Sequence, residues 1–123
     1  MAPALLNELN GALFFLILLR RHKFMTHHRK ITERAVLIGV VTPGSDEQTV
    51  AEYLDELAFL AETAGAEPVK RFTQKVEHAN PRTFVNKGKI EEIASFVAGN
   101  EINLAIFDDE LSPSQLRNIE KEL

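Results

Sequence analysis

From residue 35 onwards, short apolar runs alternate with segments of helical periodicity. The runs with strand character are Ala35–Val41, Pro68–Val76 and Ile102–Phe107. Helical periodicity follows each of them, at residues 45–64, 87–98 and 112–123. The order β-α-β-α-β-α predicts an α/β domain with a small parallel sheet, right-handed crossovers and flanking helices. Because three strands make a thin sheet, we expect at least one further strand beyond the last helix.

The segment after Phe107 contains the clearest helix start in the chain. The acidic turn Asp108–Glu110 ends the apolar run, and Ser112 with Gln115 then forms an S-x-x-Q capping box around Pro113. The apolar positions of this helix are Leu116, Ile119 and Leu123. No Gly, Asn or Pro follows to end it, so we expect this chain to be a piece of a longer protein.

A second S-x-x-Q box predicts how the first helix begins. Ser45 and Gln48 are three residues apart after the turn Thr42–Gly44, which makes Ser45 the expected N-cap. Gly65 follows the last apolar position and is the expected C-terminal stop.

The charges are distributed unevenly along the chain. The net charge is −4, yet residues 1–34 carry six Lys and Arg against two acidic residues, whereas residues 35–123 carry eight against sixteen. Six of those eight fall between positions 70 and 89, opposed only by Glu77: Lys70, Arg71, Lys75, Arg82, Lys87 and Lys89. A local basic strip on an acidic body favours one directed contact with phosphate over general nucleic-acid binding. The absence of Cys excludes disulfides and thiol chemistry.

Two features within the basic strip admit a functional and a structural interpretation. The run Asn86–Lys89, NKGK, begins a helix, where backbone N–H groups and lysines attract a nucleotide phosphate or an RNA backbone. Alternatively it is a turn in which Asn86 and Gly88 adopt left-handed backbone. Phe72 and Phe84, interleaved among the charges, either stack on RNA bases or fill the core.

The acidic turn is the remaining candidate for chemistry. Asp108 and Asp109 follow a parallel strand, at the end where open α/β sheets bind ligands, and they are candidate ligand or metal contacts. The alternative is a solvated turn that favours the next helix N-terminus. No G-x-x-x-x-G-K-[ST] occurs in the chain, which argues against a phosphate-loop enzyme. The four histidines lack metal-ligand spacing, so no metal site that uses them is predicted.

Residues 1–32 form a leader with its own character. Ala12–Leu19 is apolar but far shorter than the ~20 residues of a membrane-spanning helix, and it lacks the flanks of a signal peptide. An apolar helix bound to a partner or a membrane surface is one interpretation. The one we favour is a dispensable, partly disordered extension, with Met25 as an alternative start and the domain proper at residues 33–123.

Four blocks of the sequence resemble the N-terminal domain of HflX-type GTPases. They are Glu33–Val40, Tyr53–Ala66, Arg82–Ile93 and Ile106–Leu123, and they occur in the order of that family. The last block is the most specific. One departure lies at Asn86, where the family usually has Gly; if a phosphate must approach the backbone closely there, Asn86 weakens that contact.

The resemblance implies a cytoplasmic, ribosome-associated GTPase that binds the large ribosomal subunit and helps to split stalled ribosomes. GTP and Mg²⁺ would bind in a GTPase domain further along the chain, whereas ATP is associated with the N-terminal domain. No catalytic residue carries over, so we expect this chain not to hydrolyse GTP alone. We expect a monomer that binds no DNA and associates with membranes weakly at most.

For the ribosomal RNA contact, the candidate residues are Lys70, Arg71, Lys75, Arg82, Lys87, Gly88 and Lys89. The competing hypothesis is a stand-alone small-molecule or nucleotide-binding module that uses the acidic turn at residues 108–110.

Overall fold

Five strands form one sheet in the computed structural model, and helices cover both of its faces. The structure describes residues 33–123 together with the backbone of residues 4–9 and 12–18. The elements are β1 (Ala4–Leu9), β2 (Ala12–Leu18), β3 (Glu33–Val41), α1 (Glu47–Thr63), β4 (Ala66–Lys75), α2 (Lys87–Gly99), β5 (Leu104–Phe107) and α3 (Pro113–Glu122). The strand order is β1-β2-β5-β3-β4, with β3 parallel to both β4 and β5. The predicted α/β class and the three-stranded parallel arrangement are confirmed.

The central strand β3 divides the core into two layers because successive side chains of a strand point to opposite faces. Val36 and Ile38 pack with residues of α2 and α3 on one face. Ala35 and Leu37 pack with the apolar side of α1 on the other. All four residues of β5 are buried, which is the pattern of a strand covered on both faces.

The helix ends follow from capping side chains, with one correction to the sequence prediction. At α3 the predicted capping box is present: Ser112 Oγ accepts from the Gln115 N–H, and Gln115 Oε1 accepts from the Ser112 N–H. At α1 the predicted N-cap Ser45 is wrong, since Asp46 caps the helix by accepting from the Thr49 N–H at 2.8 Å. Ser45 instead closes the preceding turn, its N–H donating to the Thr42 carbonyl.

The N-terminal segment contributes strands, so the apolar helix that its sequence permitted is wrong. β2 pairs antiparallel with β5 on one side and with β1 on the other. A strand at this position pairs with backbone groups at the edge of β5, which a helix would leave without partners. The alternative start at Met25 lies outside the described residues. Among the described helices, none has both the length and the apolar character that crossing a membrane requires.

Candidate functional site

The structure separates the predicted basic strip into two faces of the sheet. On the α1 face, Arg71 forms an ion pair with Asp55 at 2.8 Å, and Lys75 forms one with Glu47 at 3.1 Å. These exposed pairs contribute only about 0–1 kcal/mol each to stability. They nevertheless place a carboxylate beside each cation, which reduces the positive charge that a phosphate would meet.

Two further lysines also have partners within the chain. Lys70 lies on the α2 face with its Nζ 5.4 Å from the ring centroid of Phe72 and 5.6 Å from that of Phe96, a cation–π arrangement. Lys89, in the first turn of α2, forms an ion pair with Glu92 at 3.0 Å.

Arg82 and Lys87 remain as the exposed cations of the strip that form neither an ion pair nor a cation–π contact within residues 33–123. Lys87 is the first residue of α2, where the positive end of the helix dipole adds to its charge. Arg82 lies at the tip of a short loop, residues 80–86, which we call the Arg82 loop. The two cations therefore belong to one continuous segment.

Backbone and side-chain hydrogen bonds order the Arg82 loop internally. The N–H of Asn80 donates to the Phe84 carbonyl at 2.9 Å, and the Phe84 N–H donates to the Asn80 carbonyl at 2.8 Å. Within the tip, Asn80 Oδ1 accepts from the N–H groups of Arg82 and Thr83, at 2.7 and 3.1 Å. At the far end, the Asn86 N–H donates to Gln74 Oε1 at 2.9 Å.

The backbone of this loop differs from the predicted turn. Asn86 has φ −70° and Gly88 lies within α2, so neither uses the left-handed conformation that the sequence suggested. Phe84 does, with φ 72°. A left-handed non-glycine residue costs roughly 1–2 kcal/mol. Full burial of a phenylalanine ring gains about 1.5–3 kcal/mol, which offsets that cost.

Phe72 and Phe84 are core residues, and their proposed stacking on RNA bases is therefore wrong. Their exposed fractions are 3% and 1%. The ring of Phe84 packs edge-on against Phe107, with centroids 5.5 Å apart, and that of Phe72 packs against Phe96. Apolar periodicity could not assign Phe84 to the core, because the residue lies in an irregular loop.

The acidic turn lies at the carboxyl ends of β5 and β3, where the chain leaves the sheet toward opposite faces. The Asp108 N–H donates to the Ile38 carbonyl at 2.9 Å, which fixes the half-buried residue beside β3. Burial raises the pKa of Asp108 to about 7, with further contributions from the negative charges of Asp109 and Glu56. Asp109 Oδ1 accepts from the Glu110 N–H at 2.7 Å. Across the described part of the chain, no three His, Asp or Glu side chains form a group that could hold a metal ion.

α3 carries residues near the candidate surface that sequence reasoning missed. Gln115 Nε2 donates to the Asn80 carbonyl at 2.7 Å, and Asn118 Nδ2 donates to the Arg82 carbonyl at 3.1 Å. Arg117 and Lys121, four residues apart on this helix, are exposed cations outside the window of the basic strip. Sequence alone gave no sign of the two amide contacts, since more than thirty residues separate the partners.

Comparisons with a family model and with individual known proteins identify the same group of relatives. A family model described as GTP-binding GTPase N-terminal matches residues 51–123. A GTPase HflX of Flavobacterium psychrophilum is 54% identical over 89 residues, covering 72% of this chain and 22% of that protein. The GTPase HflX of Caldanaerobacter subterraneus is 41% identical over 91 residues, which cover 74% of this chain and 20% of that protein. The GTPase HflX of Escherichia coli is 34% identical over 89 residues, which cover 72% of this chain and 20% of that protein. The chain thus spans about a fifth of the length of these relatives.

Proposed function

Because this chain belongs to the HflX family of GTP-binding GTPases through its N-terminal domain, we propose that it is the ribosome-contacting and regulatory domain of such an enzyme. In this proposal the enzyme binds the large ribosomal subunit in the cytoplasm and aids the splitting of stalled ribosomes. GTP and Mg²⁺ bind in the GTPase domain, and ATP is a candidate ligand of this domain. The chain contains no phosphate-loop motif, so GTP hydrolysis is not expected of it alone.

One observation carries the RNA contact: Arg82 and Lys87 are exposed on one ordered segment without an ion pair inside residues 33–123. An arginine and a lysine at a helix N-terminus suit phosphate oxygens, which accept charge-assisted hydrogen bonds from both. The acidic remainder of the domain repels phosphate, and this directs the contact to the segment. Arg82 and Lys87 therefore head the candidate contact set.

The double variant Arg82→Glu/Lys87→Glu tests the contact. We expect it to bind isolated large ribosomal subunits at least tenfold more weakly than the unsubstituted chain in co-sedimentation. The slope of log affinity against log salt concentration should become shallower by about 1.4, because two phosphate contacts at about 0.7 each are lost.

The control is the double variant Arg71→Glu/Lys75→Glu, which makes the same charge change at two exposed positions whose partners are Asp55 and Glu47. It should bind subunits with nearly the affinity of the unsubstituted chain. Equal losses in the two variants would show that only the net charge matters and would contradict a directed contact.

A second candidate function is favoured by the position of Asp108. It is half-buried beside β3 at the carboxyl end of the sheet, where small molecules bind in related architectures. A nucleotide-binding module using residues 108–110 would bind ATP, GTP or Mg²⁺ in calorimetry and lose that binding on Asp108→Asn or Asp109→Asn. Absence of binding in the unsubstituted chain would exclude this function.

A further inference from the structure

The tip of the Arg82 loop is held by a helix that follows it by more than thirty residues. Gln115 and Asn118 of α3 donate to the carbonyls of Asn80 and Arg82, at 2.7 and 3.1 Å. Residues three apart in a helix lie on one face, so both amides are directed at the loop together. The two acceptors bracket Pro81, which places the backbone of the tip relative to α3.

The tip has few other contacts with the body of the domain. Its remaining hydrogen bonds are internal to the loop: those from the N–H groups of Arg82 and Thr83 to Asn80 Oδ1, and the backbone pair between Asn80 and Phe84. Pro81 and Arg82 are exposed, and the chain enters the core only at Thr83 and Phe84. Exposed segments with few buried contacts open locally at low free energy. The amides of α3 therefore limit how far Arg82 can move.

We propose that Gln115 and Asn118 are positioning residues that hold Arg82 for its contact with RNA phosphate. Asn118 has the more direct role, because its acceptor is the carbonyl of Arg82 itself. This inference rests on the proposed function and adds to it a dependence of the contact on α3. A displacement of α3 would change how Arg82 is presented.

Three variants separate positioning from helix stability. Asn118→Leu keeps the number and branching of the side-chain heavy atoms but has no amide donor. Gln115→Glu keeps an oxygen that accepts from the Ser112 N–H, so the capping box survives, but it cannot donate to Asn80. Ser112→Ala removes the cap of α3 and leaves both loop contacts intact, which makes it the control for helix stability.

Amide hydrogen exchange of the intact chain measures how strongly the contacts with α3 restrict opening of the Arg82 loop. We expect the amides of Arg82 and Thr83 to exchange at least fivefold faster in Asn118→Leu and in Gln115→Glu, with the amides of β3 unchanged. Ser112→Ala should accelerate exchange in the first turn of α3 instead. Unchanged exchange at Arg82 and Thr83 in both amide variants would overturn the positioning role.

A double-mutant cycle on isolated large ribosomal subunits measures the consequence for binding. If Asn118 acts through Arg82, Asn118→Leu weakens binding in the unsubstituted chain but has little further effect in Arg82→Ala. It should also make the salt slope shallower, as Arg82→Ala does. Additive losses would overturn the inference while leaving the proposed function intact. Absence of subunit binding by the unsubstituted chain would instead reject the proposed function.

Discussion

At the scale of single residues, Asp108 is the group whose ionisation the fold opposes most clearly. The residue is half-buried, it neighbours Asp109, and the Glu56 carboxylate adds to the negative potential. A carboxyl group in that environment has a raised pKa because both burial and like charges disfavour the ionised form. The turn that ends β5 therefore stores an unfavourable interaction at neutral pH.

The pH dependence of stability follows from this shift. The pKa of Asp108 is about 7 in the folded chain and near the ordinary value of 3.8 when unfolded. Between those values the folded state binds the extra proton, so the free energy of unfolding falls as pH rises from about 4 through 7. Asp108→Asn should abolish this decline and be more stable than the unsubstituted chain at pH 8, as measured by urea unfolding.

At pH 4 the two proteins should unfold at similar urea concentrations, because Asp108 is then neutral in the folded state. Asp109→Asn, at the exposed neighbour, is the control and should retain most of the decline. A parallel pH profile for Asp108→Asn and the unsubstituted chain would show that Asp108 ionises normally.

At the scale of elements, the second residue of α2 is a glycine, Gly88, and the structure of the helix does not require one there. A Cβ at Gly88 would meet no heavy atom within 4 Å, and the residue is helical. Glycine in a helix is less favourable than alanine by roughly 0.5–1 kcal/mol. Either the position is neutral in function, or something outside the chain approaches its backbone.

Gly88→Ala distinguishes these two cases. We expect the free energy of unfolding to rise by up to about 1 kcal/mol, measured by urea unfolding. If a phosphate sits on the backbone N–H groups there, the added methyl should weaken binding to large ribosomal subunits. Gly99→Ala is the matched control, since Gly99 ends the same helix and a Cβ there would also meet nothing within 4 Å.

Gly99→Ala should leave subunit binding unchanged. Equal binding by Gly88→Ala and the unsubstituted chain would remove Gly88 from the contact set. If Gly88→Ala instead lowers the free energy of unfolding, the conclusion that a Cβ at position 88 meets no other atom is wrong.

At the scale of the whole molecule, the N-terminal strands decide which sheet edges are open. β2 covers the edge of β5, whereas β4 pairs only with β3 in the described sheet. The Asp108 N–H points to β3, and successive N–H groups of a strand alternate in direction, so the Phe107 N–H points to β2. Without β2, a short apolar edge would be exposed.

A chain that starts at Glu33 tests this arrangement. We expect it to self-associate with increasing concentration, because an uncovered apolar edge pairs readily with another strand. Sedimentation velocity over a concentration series would detect this, with the intact chain as the control. A truncated chain that stays monomeric and equally stable would show that β2 contributes nothing at this edge.

The sequence by itself determined the parallel α/β core and its family. Apolar runs and helical periodicity report burial directly, and the box at Ser112 and Gln115 forms from neighbours in sequence, so local patterns sufficed. At the start of α1 the pattern indicated the wrong residue, Ser45, because the turn that begins at Thr42 engages Ser45 and leaves its neighbour Asp46 to cap the helix.

Only the tertiary structure decided which charges are open for contact and what covers β5. The sequence pattern does not distinguish the paired cations Arg71, Lys75 and Lys89 from the unpaired cations Arg82 and Lys87. The acidic partners of the first three lie on α1 or in the next turn of α2. The pairing of β2 with β5, the position of Phe84 in the core and the hold of α3 on the Arg82 loop join residues distant in sequence. Such contacts depend on the final packing of the elements, which periodicity and composition do not encode locally.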